Sequence, residues 1–199
     1  MIALVHYGAG NIRSVAKALE SVGAKVRVTG DYRDFKKASH IVLPGVGAFG
    51  TTVESLNAGS LMEPLREELL SGKPFLGICL GGQVLFDSSE ENPGAAGLGI
   101  LKGRVVRFPR HLKVPHLGWN RVSQTPGLSL WNGIPDGSFF YFAHSYYFVP
   151  EDPLCTAGKT EYSQSFISAV CRDSIWGLQF HPEKSQAWGL KILENFIRQ

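Results

Sequence analysis

Two short stretches hold residues that could do chemistry together. In Phe75-Leu76-Gly77-Ile78-Cys79-Leu80-Gly81 an apolar run ends abruptly in Gly-x-Cys-x-Gly. That is the layout of a tight strand-to-helix turn that lifts a nucleophile clear of its neighbours. Such a turn tolerates only small residues beside it, and Gly77 and Gly81 meet that need. A thiol at Cys79 would lie beside the first N–H groups of the following helix, whose unpaired donors and dipole favour the reactive thiolate. Taken alone, the motif also describes a buried core cysteine in a glycine-rich turn. The segment Gln179-Phe180-His181-Pro182-Glu183 supplies what a thiolate needs. Pro182 biases His181 to an extended backbone, where residues i and i+2 face the same way with Cα atoms about 6.6 Å apart. Glu183 can then reach one imidazole nitrogen and leave the other for Cys79, which is a general base with its orienting group. A surface turn with two polar residues would explain this segment by itself. It would not explain why both stretches stand at the end of a strand-like run.

The elements that must position these residues alternate in the first half. Ile2–His6, Lys25–Val28, His40–Leu43 and Lys73–Ile78 read as strands, the apolar ones as buried parallel strands. Between them, a helix runs through Val15, Ala18, Leu19 and Val22 to Gly23, and Asp31–Ala38 reads as a short helix or loop. Residues Thr51–Leu70 read as helical, interrupted at Gly59 and Pro64, and the helix after Cys79 is expected to reach Glu90-Glu91-Asn92-Pro93-Gly94. The second half reads as strands Gly103–Phe108, Arg121–Ser123, Phe139–Phe142, Leu154–Lys159, Phe166–Arg172 and Ile175–Phe180, then a helix over Ser185–Arg198. The expected fold is α/β: an open, mostly parallel sheet with helices on both faces and antiparallel strands added in the second half, in a single domain over residues 1–199.

Two glycine-rich turns lie at expected C-terminal strand ends, the edge where open α/β sheets bind ligands. Tyr7-Gly8-Ala9-Gly10-Asn11 lacks the third glycine and the acidic residue of a dinucleotide loop, so no nucleotide cofactor is expected. Pro44-Gly45-Val46-Gly47-Ala48-Phe49-Gly50 lets the backbone approach a ligand and turn an N–H toward a developing oxyanion. It fits a plain flexible turn as well.

Bulk properties narrow the class. The chain has 199 residues, 44% of them hydrophobic and 19% charged, with a net charge of +3. Basic residues are scattered rather than gathered in a stripe, so no nucleic-acid partner is expected. The apolar runs are short, so no membrane association is expected. Cys79, Cys155 and Cys171 cannot all pair, and none forms Cys-x-x-Cys. Without a signal-like start, this points to a reducing, cytoplasmic location and no metal site.

With these stretches in hand, the chain resembles the class I glutamine amidotransferases, the triad glutaminases. Gly77-Ile78-Cys79-Leu80-Gly81-Gly82-Gln83 matches their nucleophile motif and His181-Pro182-Glu183 their His-x-Glu motif. Tyr7–Asn11, Pro44–Phe49, Pro115-His116-Leu117-Gly118-Trp119-Asn120, His144–Phe148 and His181–Gln186 are most similar to the glutaminase subunits that serve imidazole glycerol phosphate synthesis in histidine biosynthesis. Two positions depart from the pattern. Residue 82 is often Met there but Gly here, and His6 stands where Asp is common.

The resemblance implies a Cys79–His181–Glu183 triad that hydrolyses L-glutamine through a thioester. It implies an oxyanion site made of the Leu80 N–H and the Gly45–Gly47 loop, with glutamine held by Gln83 and by backbone near Gly47, Ser145 and Tyr146. It also implies a separate cyclase subunit with a (β/α)8 barrel, in a heterodimer, that receives the ammonia. A chain of 199 residues cannot contain a barrel of about 250 residues beside its own domain. Trp119 is the expected anchor of that interface, with Pro115, Asn11, Ser14 and Lys184 as further interface positions; Trp119 could instead pack under the second-half strands. A different acceptor enzyme, a cysteine peptidase and a non-catalytic module are the rival readings. The intact triad residues, the Pro115–Asn120 stretch and Lys184 stand against them.

Overall fold

A computed structural model describes residues 1–199. Thirteen strands and six α-helices follow one another, the first half alternating as the apolar runs require: β1 (Ile2–Val5), α1 (Ile12–Ser21), β2 (Val26–Thr29), α2 (Arg33–Lys37), β3 (His40–Gly45), α3 (Phe49–Ala58), α4 (Met62–Leu70), β4 (Phe75–Cys79) and α5 (Leu80–Gln83). The second half adds β5 (Phe86–Ser89), β6 (Leu101–Arg107), β7 (His116–Arg121), β8 (Ser123–Gln124), β9 (Phe139–His144), β10 (Tyr146–Pro150), β11 (Thr156–Glu161), β12 (Ser165–Arg172), β13 (Ile175–Leu178) and α6 (Gln186–Ile197).

The main sheet runs in the order β2-β1-β3-β4-β13-β12-β10-β6-β5, with β11 and β8 joined at β12. Strands β2, β1, β3, β4 and β13 are mutually parallel, and β12, β10 and β11 add antiparallel pairs. Strands β1, β3, β4 and β13 are buried along their whole length, so they read as continuous apolar runs rather than alternating ones. Their side chains still alternate between faces. Ile2, Leu4, Val42, Leu76 and Ile78 enter one core with Val15, Leu19, Ile192 and Phe196 of α1 and α6. Ala3, Val5, Ile41, Leu43 and Phe75 enter the other with Phe35, Phe49, Leu56 and Leu65 of α2, α3 and α4. Helices therefore cover both faces, as the alternation implies.

The sequence reading has no counterpart for β5 and β10, and three further elements differ from it. The 51–70 stretch is two helices that part at Gly59, and Pro64 sits in the first turn of α4, where a missing N–H costs nothing. Helix α5 has only four residues. The returning chain takes the carbonyls a longer helix would use: Leu98 donates to Val84, Ile100 and Leu101 to Leu85, and Gly99 to Phe86. Two glycines inside α5 weaken its claim further. Finally, the strand read at Arg121–Ser123 begins earlier, at His116. His116–Arg121 pairs antiparallel with β9 in a separate two-stranded sheet.

Candidate active site

The C-terminal ends of β3, β4 and β13 lie side by side, with Gly45 opposite Cys79 and Leu178 opposite Ile78. Cys79 and His181 meet at this edge, the one where open α/β sheets bind ligands. Cys79 ends β4 and begins α5 with φ +53° and ψ −108°. A non-glycine residue held there costs about 1–3 kcal/mol, and such strain persists only where its surroundings fix it. Those surroundings are glycine. A Cβ at Gly77 would strike the Gly81 carbonyl, and one at Gly81 would strike the Leu43 carbonyl. A Cβ at Gly45 would come within 2.6 Å of Leu80 Cβ and 2.7 Å of the Gly81 nitrogen. Gly82, where the resembling family often has Met, faces Gly177 and the Phe148 ring; there an added Cβ would sit at 3.1–3.2 Å.

His181 follows β13 in extended backbone, and its N–H donates to the Tyr141 carbonyl at 2.9 Å, which ties it to β9. Its Nδ1 meets Glu183 Oε1 at 2.9 Å, with the two side chains only 3% and 1% exposed. The other ring nitrogen is left free, and His181 and Cys79 line the same cavity. Burial opposes a charge on His181, but the neighbouring Cys79 sulfur and the bonded Glu183 outweigh it and raise its pKa to about 9. Asn11, at the start of α1, donates from Nδ2 to the same Glu183 oxygen at 3.5 Å. Of the expected interface residues, Asn11 thus also touches the acid of this constellation. Ser14 lies on the next part of α1, half-buried.

A cavity of about 270 Å³ opens above the sulfur. Cys79, His181, Leu80, Gln83, Gly47, Ser145 and Tyr146 line it, and Pro115 and Lys184 lie at its wall. Gly45 does not line it; its place is beneath the turn, where its missing side chain lets β3 meet α5. Gly47 has φ +108°, and nothing lies within 4 Å of where a side chain would begin. The loop is fixed at both ends. The Tyr7 hydroxyl donates to the Pro44 carbonyl at 3.1 Å, and the N–H groups of Phe49 and Gly50 donate to Glu91 and Asn92 at 2.7 and 2.8 Å.

Three features of the site escape the sequence reading. Glu91 lines the cavity, yet by sequence it belongs to a polar helix end. Gln179 lies against the Cys79 sulfur, 3.6 Å from its Nε2. Behind Ser145 and Tyr146, His116 and His144 form a buried pair, Nδ1 to Nε2 at 2.9 Å. His144 Nδ1 donates to the Tyr146 carbonyl at 2.7 Å, and Asn120 donates to His116 Nε2 at 3.2 Å. Every partner is thereby assigned: both histidines are neutral and carry their proton on Nδ1. Burial, above all, lowers the His116 pKa to about 4 and that of His144 to about 3.

Trp119 is 46% exposed on β7 and packs edge-on against Tyr141 at 6.0 Å. Lys184 lies over the same Tyr141 ring at 5.6 Å. No group of three or more His, Cys, Asp or Glu is placed to hold a metal ion, and no helix is long and apolar enough to cross a membrane.

The family model for glutamine amidotransferase class-I matches residues 3–199. The chain is 50% identical over 196 residues to the imidazole glycerol phosphate synthase subunit HisH of Desulfitobacterium hafniense (strain DSM 10664 / DCB-2), covering 98% of this chain and 93% of that one. It is 49% identical to the HisH subunit of Thermococcus kodakarensis, covering both chains fully. Among solved structures, one described as a glutamine amidotransferase superposes with a TM-score of 0.79 at 16% identity, covering 100% of this chain and 98% of that one. PurLQS from Thermotoga maritima superposes with a TM-score of 0.77 at 20% identity, covering 99% and 97%. The chain belongs to the class-I glutamine amidotransferases, and within them to the group of HisH subunits.

Proposed function

We propose that the chain is the glutaminase subunit of an imidazole glycerol phosphate synthase, with Cys79, His181 and Glu183 as its triad. The observation that carries the reading is the Glu183–His181 bond of 2.9 Å, beside Cys79 in a substrate-sized cavity, in a chain half identical to a HisH subunit.

The chemistry follows from the groups present. With its pKa near 9, His181 holds a proton at neutral pH, and Cys79 attacks the side-chain amide carbon of L-glutamine as the thiolate. The new C–S bond sends the carbonyl electron pair onto oxygen, which the Leu80 N–H and an N–H of the loop at Gly47 receive. Collapse breaks the C–N bond, and His181 gives its proton to the departing ammonia. Water, deprotonated by His181, then cleaves the thioester and releases glutamate. Glu183 holds the imidazole in the required orientation. The two protons of the Gln83 amide are spent on the Tyr146 carbonyl at 3.3 Å and Gln179 at 3.1 Å. Its carbonyl oxygen remains for the substrate's ammonium, for which the Glu91 carboxylate supplies opposite charge. Ser145 and Tyr146 present backbone to the substrate.

Free ammonia in neutral water is largely ammonium and no nucleophile, so it must pass directly to an acceptor. The acceptor is a separate cyclase subunit with a (β/α)8 barrel, docked as a heterodimer over the cavity mouth at Pro115 and Lys184 and over Trp119, with Asn11 and Ser14 at the same sheet edge. The experiment is a turnover with amide-15N glutamine, a partner cyclase and its substrate. Label is expected in the imidazole product. Glutamate release without label in that product would reject the partner assignment, and no glutamate release in the complex would reject the glutaminase itself.

A further inference from the structure

We infer that Gln179 is a polar contact of the nucleophile: its side-chain amide donates to the Cys79 sulfur and holds it as the attacking thiolate. This rests on the glutaminase reading above. Gln179 directly follows β13 and is fully buried, 0% exposed. Its backbone N–H donates to the Ser168 carbonyl at 2.9 Å, so the residue is anchored to β12. Its Nε2 lies 3.6 Å from the sulfur, and no other acceptor lies within bonding distance of that nitrogen.

The orientation of the amide is settled by its neighbours rather than by the sulfur. A backbone carbonyl only accepts, so the Gln83 atom 3.3 Å from the Tyr146 oxygen is the amide nitrogen. The same nitrogen lies 3.1 Å from the Gln179 amide. Gln179 must therefore present its oxygen there. Inverted, it would set N–H against N–H and turn a carbonyl oxygen toward the sulfur lone pairs. One directed chain results: Gln83 donates to the Tyr146 carbonyl and to Gln179, and Gln179 donates to Cys79.

A donor at sulfur favours the charged form over the neutral thiol. The other atom near the sulfur is the Ala143 carbonyl at 4.0 Å, an acceptor that serves only a thiol S–H. Gln179 adds a donor without adding charge, so it steadies the thiolate without competing with Glu183 for His181.

The test reads the sulfur rather than turnover. The full chain and its Gln179→Leu, Gln179→Asn and Gln179→Glu variants are alkylated with iodoacetamide from acid to alkaline pH, and the Cys79 peptide is followed by mass spectrometry. Asn is too short to reach the sulfur, Leu cannot donate, and an ionised Glu repels the thiolate. The pH of half-maximal alkylation is expected to rise by about one unit in Leu and Asn, and further in Glu. At a pH below both midpoints the Cys79 rate should fall about three- to fourfold, because a tenfold loss of thiolate is partly offset by the greater nucleophilicity of the more basic thiolate. Profiles matching the unchanged chain in the variants that keep its melting temperature would overturn the assignment. If Leu fails to fold, the near-isosteric Glu variant decides by the same criterion. Loss of glutamine hydrolysis in Cys79→Ala, measured alongside, keeps the two readings separate. Unchanged alkylation with a dead Cys79→Ala rejects Gln179 alone, whereas an active Cys79→Ala rejects the nucleophile.

Discussion

Nδ1 of His181 lies 2.9 Å from Oε1 of Glu183, and the second oxygen of that carboxylate is buried without a partner. The carboxylate is thus committed to the imidazole, apart from the long contact to Asn11. Removing the parts of this unit should have graded effects. Cys79→Ala and His181→Ala should each lower glutamine hydrolysis by at least about 10³-fold, and Glu183→Ala by less, because an orienting group contributes less than the base it orients. The Cys79→Ala complex should still make product from added ammonium salt, since the cyclase needs only ammonia. Steady-state assays with the two nitrogen sources check this, and ordinary glutaminase activity in Cys79→Ala would remove the nucleophile assignment.

The His181 proton, favoured by Cys79 and by Glu183, gives stability a pH signature. The folded His181 pKa of about 9 lies above the ordinary value of 6.5. Protonation of His181 therefore stabilises the fold fully below about pH 6.5, and this contribution is lost as pH rises toward 9. It amounts to a few kcal/mol at most, since each tenfold gain in proton affinity is worth about 1.4 kcal/mol. Glu183→Gln lowers the imidazole's affinity for its proton. Denaturant titrations should show the variant weaker than the unchanged chain below pH 6.5, with the gap narrowing toward pH 9. A gap independent of pH would mean that Glu183 does not act through the His181 proton.

The buried pair His116–His144 has the opposite sign. Both folded pKa values lie below 6.5, at about 4 and about 3. Stability from the neutral pair is complete above pH 6.5 and is lost as pH falls toward those values. The chain should therefore melt at lower temperature below about pH 6, and replacing the pair by His116→Gln with His144→Gln should flatten that fall. Imidazole 15N spectra at pH 7 should show both rings neutral and protonated on Nδ1. An Nε2-protonated ring at either position would contradict the hydrogen-bond directions.

Much of this was legible in the sequence, and the part that was not has a common cause. The parallel strands β1, β3 and β4 announce themselves because burial on both faces makes them continuous apolar runs. Cys79, His181 and Glu183 stand out because their partners are neighbours in sequence: glycines beside the cysteine, a proline between the histidine and the glutamate. Strands β5, β7 and β10 have no such local mark. Leu98–Leu101 decides where α5 stops, and the pairing with β9 makes His116–Arg121 a strand. Glu91, Gln179 and the histidine pair likewise gain their roles from contacts 28 to 100 residues away in sequence.

The glycines of the turn differ in what they tolerate. A Cβ at Gly81 would overlap the Leu43 backbone, which cannot move without parting β3 from β4. One at Gly82 would meet the tip of the Phe148 ring at 3.1 Å, which can give by a few tenths of an ångström, and the Gly177 Cα at 3.2 Å. Gly81→Ala should cost about 3 kcal/mol or more, or prevent folding. Gly82→Ala should change stability by less than about 1 kcal/mol, because the crowding is offset by the better helix propensity of alanine. Denaturation midpoints of the two variants give the comparison, and equal losses would show that the turn, not the particular contact, sets the limit.

Trp119 stands on the two-stranded sheet rather than in either core, nearly half exposed, with its edge on Tyr141 and Lys184 over the same ring. Pro115, four residues earlier, and Lys184 both line the cavity that holds Cys79. A partner that covers the cavity mouth to receive ammonia therefore meets Trp119 as well. An exposed tryptophan held by a neighbouring ring is pre-ordered for such a contact, and tryptophans of this kind commonly contribute about 2 kcal/mol or more to an interface. Removing Trp119 exposes little of the core, so the free chain should lose no more than about 0.5 kcal/mol. Trp119→Ala should weaken binding to the cyclase subunit by about tenfold or more, or release ammonia to solvent so that glutamate forms faster than imidazole product. Calorimetric titration with the cyclase, and the ratio of the two products, measure both. A large drop in melting temperature with unchanged affinity and a product ratio of one would place Trp119 among the packing residues and leave the docking face elsewhere.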